Sequence, residues 1–363
     1  MKFIDLDTQY QLIKHNVNNR IQAVLESGQF VMGHEITELE QRLAKWVGVK
    51  HCIAVANGSD ALLIAMLAID LQPGDEIITS AFSFIAVAEM AVLYGIKPVL
   101  VDVDPETYNL KPSAITAAIT PKTKAIIPVS LYGQCADFDE INHIAKQYQL
   151  PVIEDAAQSI GATYKGKQSA SLTTIATTSF FPSKPLGCYG DGGACFTQDD
   201  KLALKMQQIR NHGQAERYQH VRLGMNSRLD TIQAAVLLTK LEIFAEEIKK
   251  RQQIAANYNS KLKHHVKIPI VKDYNTSVYA QYTIQVEQRS KIYEALNTLK
   301  IPTAIHYPVA IHKQPYFRTL VRAVGEITYA ERLAEKVLSL PMHPYLEEAD
   351  IEKICTALIR NLQ

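Results

Sequence analysis

An α/β protein, with a large domain built on a mainly parallel sheet and a small C-terminal α+β domain, is the fold class this sequence predicts. Three observations predict it. The chain has 363 residues, more than one typical core holds. Its first two-thirds alternate short apolar runs with helix-period patterns, as a parallel sheet with crossover helices requires. Near Asp230 that alternation gives way to one long helical pattern and then to shorter mixed elements. The division expected is 1–244 for the large domain, including an N-terminal segment, and 245–363 for the small one.

Taken in order, the strand candidates of the large domain are Cys52–Ala56, Glu76–Thr79, Lys97–Val103, Ala125–Val129, Pro151–Glu154 and Ala194–Thr197. Helical patterns lie between several of them, at Ser59–Ile69, Ile85–Tyr94 and Asp137–Tyr148, and Pro73-Gly74-Asp75 and Pro105-Glu106 mark turns. Thr231 to Tyr258 reads as one helix, apolar at Ile232, Val236, Leu241, Phe244 and Ile248, linking the domains. Beyond it, Val278–Val286 alternates like a strand, Lys291–Leu299 is helical, and Thr303–Tyr307 is a further strand. No internal repeat or low-complexity segment occurs.

Composition narrows the function classes. With 47% hydrophobic and 21% charged residues the chain can bury a sizeable core, which argues against extended disorder. A formal net charge of +1 gives no bulk electrostatic attraction to nucleic acid or anionic membrane, so any bound anion must be held by local geometry. The start, Met1-Lys2-Phe3-Ile4-Asp5-Leu6-Asp7, has no long apolar run and is not expected to be a signal peptide. The longest apolar stretch, Ala61 to Ile69, falls short of the roughly 20 residues of a membrane span. Cys52, Cys135, Cys188, Cys195 and Cys355 form no CxxC pair and read as reduced, mostly buried thiols of a cytoplasmic protein. No metal-ligand spacing, nucleophile elbow or P-loop is present, and Gly187 to Gly193 matches no dinucleotide fingerprint because it leads into a strand.

Three segments carry chemistry. Ala56-Asn57-Gly58-Ser59-Asp60-Ala61 follows a strand and opens a helix, where free backbone amides and a hydroxyl can hold a phosphate; a plain Ser or Asp helix cap is the alternative. Ile153-Glu154-Asp155-Ala156-Ala157-Gln158-Ser159 puts acids at the carboxyl end of a buried parallel strand, where α/β folds place ligands. A carboxylate there can hold a protonated ring nitrogen, with Gln158 beside a neighbouring ring substituent; a capping Asp is the alternative. Finally, Thr178-Ser179-Phe180-Phe181-Pro182-Ser183-Lys184-Pro185-Leu186-Gly187 fixes a lysine between serine and proline on a rigid loop, with further glycines after it. Schiff-base chemistry needs one desolvated lysine held near a carbonyl carbon, and Ser179 can add a hydroxyl to a phosphate cup. A lone lysine is usually a surface charge, so the reading rests on the three segments in this order.

That order, Gly58-Ser59, then Glu154-Asp155-Ala156-Ala157-Gln158, then Ser179-Phe180-Phe181-Pro182-Ser183-Lys184, then Gly192-Gly193, resembles the DegT/DnrJ/EryC1/StrS family of nucleotide-sugar aminotransferases. The similarity runs from Phe3-Ile4-Asp5-Leu6 to Leu340-Pro341-Met342-His343-Pro344. It implies the aspartate-aminotransferase fold (type I) and a homodimer with active sites shared at the interface. It implies pyridoxal 5'-phosphate as cofactor, passing through the pyridoxamine form. By the same resemblance Lys184 is the Schiff-base lysine and proton carrier, and Asp155 pairs with the ring nitrogen. Gln158 contacts the ring's 3'-oxygen, while Gly58, Ser59 and Ser179 hold the phosphate. Phe84, in preference to Phe82, stacks on the ring, and Asn226 reaches the phosphate from the other subunit. A core phenylalanine and a turn asparagine are the structural alternatives for Phe84 and Asn226.

Within the family, Ile126–Asp137, Pro182–Gly193 and Ala304-Ile305-His306-Tyr307-Pro308 most resemble a branch that moves an amine from L-glutamate to C3 of a UDP-linked 2-acetamido-3-oxo-glucuronate. That step leads to the diacetamido uronic acids of bacterial surface polysaccharide such as lipopolysaccharide O-antigen. A uronate carboxylate favours a guanidinium clamp, for which Arg228 is available, and His306 and Tyr307 would add donors. An interface salt bridge for Arg228 and strand packing for His306 and Tyr307 are the alternatives. The rival functions are transamination at C4 of a 4-oxo-6-deoxy nucleotide sugar, a fold-type-I enzyme acting on free amino acids, and a regulatory or sugar-binding protein without activity.

Overall fold

The computed structural model describes residues 1–362. The chain opens with α1 (Leu6–Ser27), whose first turn is capped by the Asp5 carboxylate accepting the Thr8 amide at 3.1 Å, and α2 (His34–Val47). β1 (His51–Val55) leads into α3 (Gly58–Ala68), and β2 (Glu76–Ser80) into α4 (Ala86–Leu93). β3 (Lys97–Val101), α5 (Ile115–Ala118), β4 (Thr123–Ile126), α6 (Phe138–Gln147) and β5 (Ile153–Asp155) continue the alternation. A hairpin of β6 (Thr163–Tyr164) and β7 (Lys167–Gln168) precedes β8 (Ile175–Ser179), β9 (Gly193–Thr197) and α7 (Asp200–Arg210). After a second hairpin, β10 (Gln214–Glu216) and β11 (Gln219–His220), comes α8 (Thr231–Leu262), a helix of 32 residues. The C-terminal elements are β12 (Tyr282–Gln285), α9 (Arg289–Thr298), β13 (Arg322–Ala323), α10 (Thr328–Lys336), β14 (Val337–Leu340) and α11 (Glu348–Asn361).

Two four-stranded sheets, β1-β9-β8-β5 and β13-β3-β2-β4, meet through parallel bridges Ile126–Val152 and Val129–Asp155. One continuous sheet results, parallel except at β9, which is antiparallel to both β1 and β8. The strands are apolar on both faces because helices cover both: all five residues of β2 are buried. α6 shows the cover from the helix side, burying Phe138, Ile141 and Ala145 at helical spacing and leaving its acids outward.

α8 joins two cores. Ala234, Leu237, Leu241 and Phe244 pack with α2 and the sheet, whereas Ile254, Tyr258 and Leu262 pack with β12, β14 and α11. Residues beyond 245 divide between these cores, because Ala310, Ile311, Phe317, Ile327, Ala330 and Leu333 return to the large core and β13 extends the large sheet beside β3. Most expected elements shift by one to three residues at their ends, as when the strand expected over Ala125–Val129 occupies Thr123–Ile126, and three differ more. The strand expected over Val278–Val286 is confined to β12, and the helix expected to end at Tyr258 continues to Leu262. The segment Thr303–Tyr307 forms no regular strand, only an Ala304–Ser339 bridge, since it lies between Pro302 and Pro308, which donate no amide to a ladder. Among the described residues no helix is long and apolar enough to cross a membrane.

Candidate active site

The carboxyl ends of β1, β5 and β8 converge on a cavity of about 480 Å³, closed on the other side by Gln281, His306 and Tyr307. It is lined by Gly58, Ser59, Phe84, Asp155, Gln158, Ser179 and Lys184, so nine of the sequence-predicted residues meet there once His306 and Tyr307 are included.

At one end, the turn from β1 to α3 is capped by Asn57, whose side chain accepts the Asp60 amide at 2.8 Å. The cap is therefore Asn57 rather than the Ser or Asp considered from the sequence. Asn is as strong a capping residue, so the signal was present. This leaves the first amides of α3 and the Ser59 hydroxyl at the cavity, at the positive end of the helix. A Cβ on Gly58 would stand 2.6 Å from the Cβ of Ser179, and one on Gly193 would stand 2.4 Å from the Asn57 carbonyl oxygen. Both glycines are needed for the strand ends to approach this closely. The resulting cup of amides and hydroxyls fits a phosphate.

At the floor, strand alternation separates the paired acids. Glu154 turns away from the cavity and accepts the Ser130 and Ser169 hydroxyls at 2.7 Å each and the Ala170 amide at 2.9 Å, a structural role. Asp155 faces the cavity, where its carboxylate accepts the Ala157 amide at 3.0 Å. Burial pushes the Asp155 carboxyl above its usual range, opposed by that amide and by the Lys184 charge. Such a group has a high affinity for a proton-bearing cation, and a protonated ring nitrogen answers it.

Lys184 lies on the loop after β8, where its amide donates to the Phe181 carbonyl at 2.8 Å. Gly187 lets the chain fold back, since a Cβ there would stand 2.6 Å from the Pro182 carbonyl oxygen. Burial pushes the Lys184 amine down and the Asp155 charge opposes it. A desolvated, more readily deprotonated amine is what attack on a carbonyl carbon requires.

Gln158 is held by Tyr132, whose amide donates to its Oε1 at 2.8 Å, so Nε2 is turned toward the cavity and donates to the Tyr307 hydroxyl at 3.2 Å. Tyr132 had no sequence signal for this role. Phe84 is 54% exposed at the cavity while Phe82 is buried in the core at 1%. The Phe84 ring lies 5.9 Å from that of Tyr307. His306 Nδ1 meets Ser339 Oγ at 2.9 Å, and burial, then the Lys184 charge, pushes its imidazole down to about 4. Cys188 is an inert thiol, packed against the Phe180 and Gly190 carbonyls and pushed by burial up to about 11. All five cysteines are buried and unpaired.

Two predicted residues stand apart. Asn226 and Arg228 line an adjoining cleft of about 510 Å³ that shares Asn57 and Asp191 with the first cavity. Arg228 donates to Asn211 Oδ1 at 3.0 Å, and Asn226 bridges to Asn211 along the backbone. Phe181, Asp191 and Gln281 also line the main cavity without having been singled out from the sequence.

Taken together, the phosphate cup, the buried carboxylate and the desolvated lysine fit pyridoxal phosphate. Comparison with known proteins agrees. The chain is 56% identical over 359 residues, 99% of each chain, to the UDP-2-acetamido-2-deoxy-3-oxo-D-glucuronate aminotransferase of Pseudomonas aeruginosa. It superposes with a TM-score of 0.97 on a DegT DnrJ EryC1 StrS aminotransferase from Brucella abortus, 42% identical and covering 99% of this chain and 98% of that one. NtdA from Bacillus subtilis, solved with bound cofactor PMP, superposes with a TM-score of 0.91 at 32% identity over 99% of this chain and 83% of that one. Matched over residues 11–359, the chain belongs to the DegT/DnrJ/EryC1/StrS aminotransferase family.

Proposed function

We propose that this aminotransferase moves an amino group from L-glutamate to C3 of UDP-2-acetamido-2-deoxy-3-oxo-D-glucuronate, supplying a diacetamido uronic acid for bacterial surface polysaccharide such as O-antigen, in the cytoplasm. The observation that carries this reading is the 56% identity over 99% of each chain with a UDP-2-acetamido-2-deoxy-3-oxo-D-glucuronate aminotransferase, joined to a cavity lined by both Lys184 and Asp155. Pyridoxal phosphate, when bound, supplies an electron sink for the charge left as the proton leaves the carbon bearing nitrogen.

The chain's own residues do the rest. Lys184 Nζ removes the α-proton of glutamate and later delivers a proton to the sugar carbon, tasks suited to an amine lowered by burial. With the cofactor bound, Asp155 would hold a ring N–H, Gln158 Nε2 a ring oxygen and the Gly58, Ser59 and Ser179 cup the phosphate, while Phe84 would cover the ring. His306 and Tyr307 face the sugar from the opposite wall. Asn226 and Arg228, outside the cavity of their own chain, serve the site of a second copy in a homodimer, with Arg228 placed for the uronate carboxylate. The exposed apolar run Phe30, Val31 and Met32 beside that cleft supports such an interface, since monomers rarely leave three adjacent large apolar side chains in water.

The test is to load the enzyme with cofactor, convert it with glutamate and follow the visible absorbance on adding oxo-sugars. Recovery with the UDP-linked 3-oxo uronate and not with a 4-oxo-6-deoxy nucleotide sugar is expected. Recovery only with the deoxy sugar overturns the substrate, and no change with glutamate overturns the donor.

A further inference from the structure

One tight turn, Ser130 to Gln134, is tied both to the strand end that carries Asp155 and Gln158 and to the chain that faces it. On the first side the Ser130 amide donates to the Asp155 carbonyl at 3.0 Å, and the Leu131 amide donates to Asn109 Oδ1 at 2.8 Å. On the second side the Gly133 carbonyl accepts the Val278 amide at 3.0 Å, and Gln134 bridges to Ser277, in the segment that leads into β12. Glycine is required there. Its φ is +106°, and a Cβ on it would stand 2.7 Å from the Tyr279 amide nitrogen.

Tyr132 sits within this turn with φ at +57°, in the left-handed region that bulky side chains rarely adopt, so its surroundings must hold it there. Two groups of this one residue serve opposite walls of the cavity. Its amide donates to Gln158 Oε1 at 2.8 Å, which fixes the side chain whose Nε2 meets the Tyr307 hydroxyl at 3.2 Å. Its hydroxyl donates to the carbonyl oxygen of His306. The ring between them is 7% exposed and packs edge-on against Tyr108 at 5.2 Å, whose hydroxyl in turn accepts Gln285 Nε2 of β12 at 3.1 Å. Burial pushes the Tyr132 phenol well above its ordinary value, so it remains a donor at neutral pH. His306 has a second anchor, because its Nδ1 meets Ser339 Oγ at 2.9 Å. Held at its carbonyl and at one ring nitrogen, the residue is fixed relative to the floor at Asp155.

We propose that Tyr132 is a positioning residue for the sugar: its hydroxyl holds His306, and with it the facing wall, in register with the cofactor wall whose Gln158 is oriented by its amide. This rests on the reading of His306 and Tyr307 as the wall that meets the nucleotide sugar. The two contacts are separable. The amide belongs to the backbone and survives a side-chain change, so loss of the hydroxyl loosens His306 and leaves Gln158 in place.

The experiment compares wild type, Tyr132→Phe, His306→Gln and the double variant, each loaded with cofactor. Tyr132→Phe keeps the ring and the amide and removes one hydrogen bond, so the KM for the UDP-linked 3-oxo uronate is expected to rise about 10-fold. Glutamate-driven conversion of the cofactor, followed by absorbance, is expected not to change. Because the hydroxyl acts through His306, the double variant should have the sugar KM of His306→Gln alone. An unchanged sugar KM in Tyr132→Phe, with His306→Gln impaired, overturns the role of Tyr132 and spares the reading of His306. An equal fall in the glutamate and sugar steps assigns the hydroxyl to structure and overturns the proposal. So does full additivity in the double variant, about 100-fold, since the hydroxyl would then act apart from His306. An unchanged sugar KM in His306→Gln overturns the reading of the facing wall itself. If the wild type converts a different nucleotide sugar and not the uronate, the substrate reading fails on its own, and the same four proteins measured with that sugar decide the role of Tyr132.

Discussion

The two walls of the cavity are built differently. The cofactor wall is made of short contiguous segments at strand ends, Asn57-Gly58-Ser59, Asp155 to Gln158 and Ser179 to Lys184; Asn57 and Asp155 are held by amides three and two residues on, and Gln158 by the more distant Tyr132 amide. The facing wall is assembled from Gln281, His306 and Tyr307, brought together by the β12–β14 ladder and by a chain flanked by prolines. Under the proposed function the first wall would meet a fixed cofactor with fixed backbone geometry and carry the chemistry, whereas the second would read the sugar with side chains delivered from afar, and each variant below asks whether that separation holds.

The largest effect is expected on the cofactor wall. Lys184→Ala removes the proton carrier and should lower turnover by at least about 10²–10⁴-fold. Cofactor should remain bound but fail to become covalently attached after borohydride reduction, read by mass spectrometry. Normal turnover would falsify the assignment of the lysine. Asp155→Asn removes the counter-charge for a ring N–H and should cost about 10²–10³-fold in the glutamate step and the sugar step alike. A loss confined to the sugar step would place Asp155 on the wrong wall.

This division also explains what could be read from the sequence. Gly58-Ser59, Glu154-Asp155 and the Lys184 loop are local patterns, since a helix start, a strand end and a rigid turn are each determined by adjacent residues, and the alternation of β2, β3 and β4 with their helices is equally local. Tyr132 left no such trace, because its role depends on a partner 26 positions away in sequence, the Gln158 side chain that its amide holds, and Gln281 left none because only the fold brings it to the cavity. Placing Asn226 and Arg228 depended on resemblance alone, and the structure sets both in a separate cleft of their own chain. The return of Ala310 to Leu333 to the large core escaped the periodicity for the same reason: a segment's pattern tells that it has a buried face, not which core buries it.

A smaller effect sharpens the cofactor side. Gly58→Ala brings a Cβ to 2.6 Å from the Ser179 Cβ, and overpacking of this kind costs about 1–3 kcal/mol. The melting temperature and the cofactor affinity should fall together. Ser179→Ala does not relieve the contact, since its Cβ remains, whereas pairing Gly58→Ala with Ser179→Gly should recover only part of the melting temperature, because the residue-179 Cα still stands 3.2 Å away, and none of the affinity, because the hydroxyl is lost. Restored affinity would remove Ser179 from the phosphate cup.

The smallest effect tests the facing wall through pH. Burial, then the Lys184 charge, holds His306 down at about 4, against an ordinary value of 6.5 in the unfolded chain. Between these values the unfolded chain binds the proton and the folded chain does not, so stability falls as pH drops from 6.5 toward 4 and is unaffected by His306 above 6.5. His343, also held at about 4, contributes a slope of the same sign. His306→Gln removes one share, on the order of 2 kcal/mol across that window, so the melting temperature of the cofactor-free variant should decline less steeply than the wild type's. Lys184→Ala should also flatten the curve, by removing the charge that helps hold the imidazole neutral. At neutral pH the imidazole meets the sugar uncharged, so His306→Gln should raise the sugar KM only about 10-fold, the same at pH 7 and pH 8, with the glutamate step intact. A KM that rises with pH in the wild type but not in the variant would mean that His306 binds as a cation, and the wall would then be selecting the carboxylate by charge rather than by shape and hydrogen bonds.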